Sequence, residues 1–401
     1  MTDVAARWRM LALLFTVRTS MAFQFQLVGA LSPLVAGSLG IGLADIGLLI
    51  GLYLAPGIVI ALPGGSLASR FGDRRVFTAG IVLMTLGGTL AVVADSYSLQ
   101  LAARVIAGTG GVIVNVAGSK LVVDWFAGRE IATAMAIYVT SWPVGIALAL
   151  IVLPSVAALG GLVAALAVPA AFAGACLVLA LIAWHAPPAA TVAASASAWP
   201  RGRRLAMLGA AATIWALYNT AIILVFGFSP ALLTERGHSL IAASAMTSIV
   251  LWLAAVAVPL GGIIADRIGR RDLVLVTGLF GFAAGIVAVR AGLPPVAAFC
   301  LIGIAGGLPA GAILSFLAVI LSPATRAVGM GLFYTVFYLM TLIGPVLTGS
   351  IAARVSTAAV SFDFAVGCLA LCLVLFAGLR RATARHVPGP VMPAPSGKTA
   401  P

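Results

Sequence analysis

Twelve stretches of about 20 apolar residues run through this chain of 401 residues and restrict what it can fold into. A helix needs about 20 apolar residues to cross a bilayer, and backbone groups in lipid need hydrogen-bond partners within their own element. The stretches lack the alternation of barrel strands. The sequence therefore predicts an all-α integral membrane protein with twelve transmembrane helices. Their centres lie near Ala22, Ile58, Met84, Val112, Ala147, Leu177, Ile222, Val256, Phe282, Ala310, Tyr338 and Leu369.

Basic residues concentrate on one side of this predicted topology. Of the 23 Lys and Arg residues, Arg236, Arg290 and Arg354 fall on the outer side, and Arg18 and Arg104 fall within helices. The other 18 lie in the remaining loops and the tails. By the positive-inside rule both termini are cytoplasmic, in a multi-pass protein of the cell inner membrane. The net charge of +13 then reflects a basic face beside anionic lipid and implies no nucleic-acid partner.

An internal repeat with an offset of 197 residues divides the chain into two parts. Ser32-Pro33 recurs as Ser229-Pro230, and the loop Gly65-x-x-x-x-Arg70-x-Gly72 recurs as Gly262-x-x-x-x-Arg267-x-Gly269. Parallel repeats of this kind build transporters with a substrate site between the halves, near the midplane. The predicted domains are an N-terminal six-helix half (1–184), a cytoplasmic connector (185–204), a C-terminal six-helix half (205–380) and a disordered tail (381–401).

At these loops the chain resembles the major facilitator superfamily, and the resemblance covers nearly all of it. The family's loop motif appears in the second half from Gly262 to Arg271. In the first half, Ser69 stands at the family's carboxylate position and Asp73 at a basic one. The resemblance implies that these loops form a charge network that closes the cytoplasmic side; the alternative is that they only anchor the topology. The implied gating residues are Gly65, Arg70, Gly72, Arg74, Gly262, Asp266, Arg267, Gly269, Arg270 and Arg271.

Two further motifs refine the resemblance. The helix-4 signature Arg104-x-x-x-Gly108-x-Gly110 leaves two roles open for Arg104, snorkelling to the outer interface or proton coupling. The helix-5 antiporter signature is reduced to Trp142-Pro143-Val144-Gly145, which disfavours drug antiport. The segment from Arg18 to Gln26 and the loop from Asp124 to Glu130 are similar to the cyanate permease branch, which includes nitroimidazole carriers.

Arg18 lies about a third of the way along the first apolar stretch, with no Asp or Glu in that stretch. An ionised side chain within the membrane costs at least ~2.5 kcal/mol and marks a functional site by default. The partner most naturally implied is an anion. The alternative is that its long side chain snorkels to the inner face.

Other polar and aromatic side chains in the middle of helices are candidates for the substrate cavity, because they are costly when they face lipid. Packing and interhelical hydrogen bonds are the competing explanations. Gln24 and Gln26 lie about 200° apart on the first helix and cannot both face the substrate. With Arg18, the candidate substrate-binding residues are Gln24, Gln26, Asn115, Tyr138, Trp142, Trp215, Tyr218, Asn219, Tyr334 and Tyr338.

The sequence thus predicts a secondary active transporter of a small inorganic or organic anion, of the cyanate, nitrate or carboxylate type. Rocker-switch alternating access is the expected mechanism. All ten carboxylates lie in tails, loops or helix ends, so uniport, exchange and symport with a proton stay open. The alternative function is efflux of a neutral or amphipathic molecule such as a drug or nitroimidazole. We expect no enzyme activity, cofactor or metal, and a monomer.

Overall fold

The computed structural model of the chain describes residues 2–61, 71–126, 130–185, 199–322 and 325–384, and the regular structure in these ranges is entirely helical. In chain order the helices are α1 (Thr2–Ala30), α2 (Ser32–Leu39), α3 (Leu43–Leu52), α4 (Gly57–Ile60), α5 (Asp73–Val93), α6 (Tyr97–Phe126), α7 (Ile131–Ala183), α8 (Gly202–Glu235), α9 (Leu240–Ile268), α10 (Arg271–Arg290), α11 (Pro295–Gly307), α12 (Pro309–Ile320), α13 (Arg326–Val355) and α14 (Val360–Ala384).

Eleven segments of the described chain are long and apolar enough to cross a membrane. One of them, Thr133–Ala183, has 51 residues, more than twice the length that one crossing needs. Within it Gly161 has φ 77°, which breaks the helix into two spans. The predicted twelve-helix membrane fold is therefore confirmed.

The ends of two helices differ in detail from the predicted pattern. Helix α8 begins at Gly202 and α14 continues to Ala384, so the end of the predicted connector and the start of the predicted tail are helical.

The repeated Ser-Pro pair takes two forms in the structure. Pro33 lies in the first turn of α2, where a missing N–H costs nothing, whereas Pro230 lies inside α8 and leaves the Phe226 carbonyl without its helical donor.

The two halves pack closely at one end of the bundle. Gln26 of α1 donates from Nε2 to the Phe226 carbonyl oxygen of α8 at 3.1 Å. On α3, a Cβ at Gly47 would collide with the Pro345 carbonyl of α13 and stand 3.2 Å from the Cα of Gly349. These contacts lie towards the ends of α1 and α13 at Ala30 and Val355, which we call the closed end.

The basic end is the other end of the bundle, where α8 and α10 begin and α14 finishes. Ion pairs described there join residues of the same half. Arg7 contacts Glu130 at 2.9 Å. Lys120 contacts Asp73 at 2.9 Å and Asp124 at 2.8 Å. In the C-terminal half Arg380 pairs with Asp272. Among the described residues, charge pairing at the basic end therefore stabilises each half separately, while the closed end holds the halves together.

Candidate functional site

Arg18 is held inside the bundle by oxygen atoms of the N-terminal half. Its Nε donates to Asn115 Oδ1 at 2.9 Å, and its Nη1 lies 2.9 Å from the Tyr138 carbonyl oxygen and 3.0 Å from that of Val139. Nη1 is also 3.3 Å from the Ser141 hydroxyl. Within the described part of the chain, neither a carboxylate nor a hydrogen-bond acceptor for Nη2 accompanies this guanidinium. The arrangement orients a cation between α1, α6 and α7.

Pro143 explains why α7 can accept hydrogen bonds from Arg18. Proline has no N–H, so the carbonyl four residues earlier, that of Val139, lacks its helical donor. That carbonyl is one of the two that contact Nη1. Gly145 brings α7 close enough, because a Cβ there would collide with the Thr19 carbonyl of α1. The remnant of the helix-5 signature thus shapes the surroundings of Arg18.

Aromatic rings surround the guanidinium and extend to the other half. The Arg18 Cζ lies 4.8 Å from the centroid of the Tyr138 ring and 6.0 Å from that of Trp142, within the range of cation–π attraction. Asn115 Nδ2 is 3.3 Å from the hydroxyl of Tyr338 on α13, whose ring centroid lies 6.4 Å from that of Tyr334. Arg18, Asn115 and Tyr338 therefore form a polar connection between the two halves. Together with the rings of Tyr138, Trp142 and Tyr334 we call it the Arg18 cluster.

The two candidate glutamines of α1 lie away from this cluster. Gln24 Nε2 donates to the Met84 carbonyl at 2.9 Å, and its Oε1 accepts from the Tyr53 hydroxyl at 3.1 Å. Gln26 binds the carbonyl of Phe226, which Pro230 leaves free in α8. In this structure Gln24 joins helices of the N-terminal half, and Gln26 fastens the closed end.

The three candidates of α8 divide between the cluster and the helix packing. Trp215 stacks on Phe333 with centroids 6.1 Å apart, and Phe333 in turn contacts Tyr334. Tyr218 instead donates its hydroxyl to the Gly306 carbonyl of α11 at 2.5 Å, and Asn219 Nδ2 donates to the Trp215 carbonyl of its own helix at 2.8 Å. The structure therefore connects Trp215 to the cluster and directs Tyr218 into the helix packing.

Arg104 neither snorkels nor faces the cluster around Arg18. It is 2% exposed, and its guanidinium donates to the carbonyl oxygens of Leu49, Gln24 and Phe25 at 2.8–2.9 Å. Leu49 lies in the last turn of α3, where carbonyls lack helical donors and attract cations. The Tyr53 ring covers the charge, with its centroid 4.7 Å from Cζ. Arg104 thus joins α1, α3 and α6.

The glycines of the helix-4 motif allow this packing. A Cβ at Gly108 would collide with the Tyr53 carbonyl, and a Cβ at Gly110 with the Gly80 carbonyl of α5. The tight fit is typical of small residues at membrane helix contacts.

The predicted gating loops are described in part. Gly65 and Arg70 lie outside the described residues, as does the side chain of Asp266. Gly72 (φ 85°) precedes α5, and Gly269 (φ 68°) ends α9, both in left-handed conformations that glycine adopts at little cost. The Arg74 guanidinium donates to the Leu181 carbonyl at 3.3 Å within its own half.

In the second-half loop, Arg267 and Arg270 are exposed, and Arg271 begins α10. A Cβ at Gly262 would meet open space, whereas one at Gly261 would lie 2.6 Å from the Leu308 carbonyl. The close approach of another helix therefore lies one residue before the motif's first glycine.

Two neighbours of the candidate residues were not predicted as site residues. Ser141 contributes a hydroxyl that contacts Arg18. Its position in sequence, next to Trp142 and Pro143, is the feature that could have indicated this role. Tyr53 orients Gln24 and covers Arg104, and it stands in an apolar run where the sequence offers no comparable signal. In the described part of the chain, no group of three or more His, Cys, Asp or Glu residues could hold a metal ion.

A membrane bundle of two helical halves with a polar cluster between them is the architecture of many secondary transporters. The family model described as Major Facilitator Superfamily matches residues 14–239 and 206–400. The chain belongs to the Major Facilitator Superfamily.

Similar proteins support the family and the fold. An uncharacterized MFS-type transporter of Mycobacterium tuberculosis is 30% identical over 162 residues, which cover 40% of this chain and 36% of that protein. An uncharacterized protein of Campylobacter jejuni is 26% identical over 144 residues, covering 36% of this chain and 44% of that one. The chain therefore spans less than half the length of these curated relatives.

Two solved structures share the fold over nearly the whole chain. Both are of a bacterial homolog to the human lysosomal transporter Spinster, in inward-facing conformations. The occupied form has a TM-score of 0.74 at 16% identity and covers 93% of this chain and 96% of that one. The unoccupied form has a TM-score of 0.71 at 16% identity and covers 94% and 97%. At this identity the likeness concerns the fold alone.

Proposed function

We propose that the protein transports a small anion, of the cyanate, nitrate or carboxylate type, and that Arg18 binds it between the two halves. The observation that carries the proposal is that the Arg18 guanidinium has no counterion among the described residues. Its Nε and Nη1 are held by neutral oxygens, and no carboxylate of the described chain neutralises it. Arg18 is half-buried, and an anion bound at Nη2 would neutralise the guanidinium through a charge-assisted hydrogen bond.

The aromatic side chains around Arg18 come from both halves. Tyr138 and Trp142 flank the cation, while Tyr334 and Tyr338 approach it from the C-terminal half. The Tyr338 hydroxyl accepts from Asn115 Nδ2 and can donate its own proton to the anion. The ligand would then contact both halves, as a substrate of an alternating-access carrier must.

The mechanism that follows is rocking of the halves about this site in the inner membrane, with the basic end in the cytoplasm. The closed end separates during the outward-open state, and the Gln26 bond to Phe226 then breaks. The loop residues Asp266, Arg267, Arg270 and Arg271 close the cytoplasmic end in that state. The carrier works as a monomer by uniport, exchange or symport with a proton.

A thermal-shift screen of the purified protein tests the proposal. Cyanate, nitrate, nitrite, formate, oxalate and lactate are compared with neutral nitroimidazoles and drugs, because a ligand that binds the folded state raises the unfolding temperature. We expect one anion to stabilise the wild type and the Arg9→Gln control, which loses an exposed arginine of the same helix. The Arg18→Gln protein should fold and lose this stabilisation.

Counterflow of the stabilising anion in liposomes then links binding to transport. Wild-type and Arg9→Gln proteins should exchange the anion, and Arg18→Gln should not. Uptake unchanged in Arg18→Gln would contradict the proposal. Stabilisation only by neutral compounds, equal in both proteins, would favour efflux of a neutral or amphipathic molecule and make Arg18 structural. If an imposed pH gradient drives no uptake although exchange is preserved, the proton symport version is excluded.

A further inference from the structure

A second candidate site lies at the basic end of the C-terminal half, away from the Arg18 cluster. It is a cavity of about 1740 Å³ between the ends of α8, α10, α12 and α14. Among the described residues of the lining, the one carboxylate is Asp272, which pairs with Arg380. The arginines of the lining are Arg201, Arg203, Arg204, Arg270, Arg271, Arg380 and Arg381.

Membrane topology alone does not explain this convergence. The positive-inside rule requires basic residues near the helix ends, and scattered positions would satisfy it equally well. Here the arginines come from three segments that are distant in sequence, at the start of α8, the start of α10 and the end of α14. They surround one concave volume, and the charge of the lining strongly favours an anion.

Two helix N-termini add to the positive potential. Arg201 precedes α8 and Arg270 precedes α10, and neither helix start has a side-chain capping bond. Uncapped backbone N–H groups at a helix start favour phosphate and other anions. Arginine complements them because its planar guanidinium can bind two phosphate oxygens at once. The two features together point to phosphate as the ligand group.

The apolar surface beside the cavity indicates that this phosphate belongs to a lipid. Leu275 and Ile320 form a buried floor, and Leu273 stands at the rim with 48% of its surface exposed. Phe280 and Val287 follow Leu273 at intervals of seven, so the three lie on one face of α10. Phe280 is 60% exposed and Val287 is 52% exposed. An apolar strip therefore leads from the cavity along the membrane-spanning part of α10.

We propose that this cavity binds the headgroup of an anionic phospholipid, whose acyl chains lie along Leu273, Phe280 and Val287. The excess of arginine fits a headgroup with two phosphates better than one with a single phosphate. Basic pockets between transmembrane helices on the cytoplasmic side bind such headgroups. The site is separate from the proposed anion site at Arg18 and does not depend on it.

Lipid binding to the detergent-purified full-length protein tests the proposal by native mass spectrometry. The probes are tetraoleoyl cardiolipin, which carries two phosphates, dioleoylphosphatidylcholine and inorganic pyrophosphate. The test variant is Arg204→Gln/Arg381→Gln. The matched control, Arg9→Gln/Arg75→Gln, removes two exposed arginines from the N-terminal half. We expect cardiolipin to bind the wild type and the control with equal affinity, and phosphatidylcholine to bind far more weakly.

The test variant should bind cardiolipin about 30-fold more weakly, since each arginine near an anionic lipid contributes roughly a fivefold factor. An equal loss in the control would overturn the proposal, because it would show a general effect of surface charge. Pyrophosphate binding as tight as that of cardiolipin would also overturn it and assign the cavity to a soluble phosphate compound. Unaltered cardiolipin binding in the test variant would exclude this cavity.

Discussion

At the scale of single residues, two prolines prepare backbone acceptors for side chains of α1. Pro143 leaves the Val139 carbonyl free for Arg18, and Pro230 leaves the Phe226 carbonyl free for Gln26. In lipid a free carbonyl must find another donor, so each proline creates a polar position within an apolar helix. The first orients the proposed anion site, and the second fastens the closed end.

Replacing Pro143 tests the first of these positions. In Pro143→Ala, the new N–H competes with Arg18 for the Val139 carbonyl. We expect the affinity for the transported anion to fall about tenfold, as for the loss of one hydrogen bond to a charged group. Calorimetric titration with the anion found in the screen measures the change. Pro154→Ala, in the same helix, is the control, and an equal loss there would contradict the interpretation.

Arg104 is the second residue whose role the structure specifies. Its replacement by glutamine leaves carbonyls of α1 and α3 without donors, which should lower the free energy of unfolding by about 2–4 kcal/mol. Thermal unfolding in detergent measures this loss, and Arg9→Gln should change stability by less than about 0.5 kcal/mol. Unchanged stability of Arg104→Gln, with loss of transport driven by a pH gradient, would instead support proton coupling.

At the scale of helices, close contacts of α3 with α13 hold the closed end together. Gly47 and Gly51 face the backbone of Pro345 and Leu342, at distances that leave no room for a Cβ. Glycine is required there by the approach of a helix of the other half, since both glycines have ordinary helical conformations. Separation of these helices is the step that opens this end.

Gly47→Leu should prevent the closed end from forming and shift the protein towards the outward-open state. Spin labels at Ser98 and His238, exposed residues at this end in the two halves, report the separation by pulsed electron paramagnetic resonance. We expect a longer distance in Gly47→Leu than in the wild type. Gly37→Leu is the control, because a Cβ at Gly37 meets open space. An unaltered distance in Gly47→Leu would contradict this role.

At the scale of the whole molecule, the contacts divide unevenly between the two ends. The closed end joins the halves, whereas ion pairs described at the basic end join residues of the same half. Asp73, which stands where the family has a basic residue, belongs to one of these pairs with Lys120. The altered first-half loop therefore stabilises its own half in this conformation.

Arg267→Ala tests whether the second-half loop acts on the switch between conformations. Arg267 is exposed in this conformation, and we propose that it makes its contacts when the basic end closes. We expect slower transport, by about tenfold, with the dissociation constant of the anion within about twofold of the wild type. Counterflow rates and titration measure the two quantities, with Arg9→Gln as the control. A large loss of affinity would contradict a gating role.

The sequence by itself determined the membrane fold, the repeat and the family, because each depends on local composition or a short motif. Length and hydropathy define a membrane span whatever its neighbours are. The same reasoning identified Arg18 as unusual, since the cost of a charge in lipid is a property of one residue.

Only the tertiary structure decided which side chains meet. Gln24 and Gln26 look alike in sequence, yet one joins α5 and the other contacts α8, 200 residues away. The sequence leaves two roles open for Arg104, and the structure gives it another, because three carbonyls of other helices surround it. Hydrogen bonds between helices depend on rotation and distance, and these follow from the packing of the whole bundle.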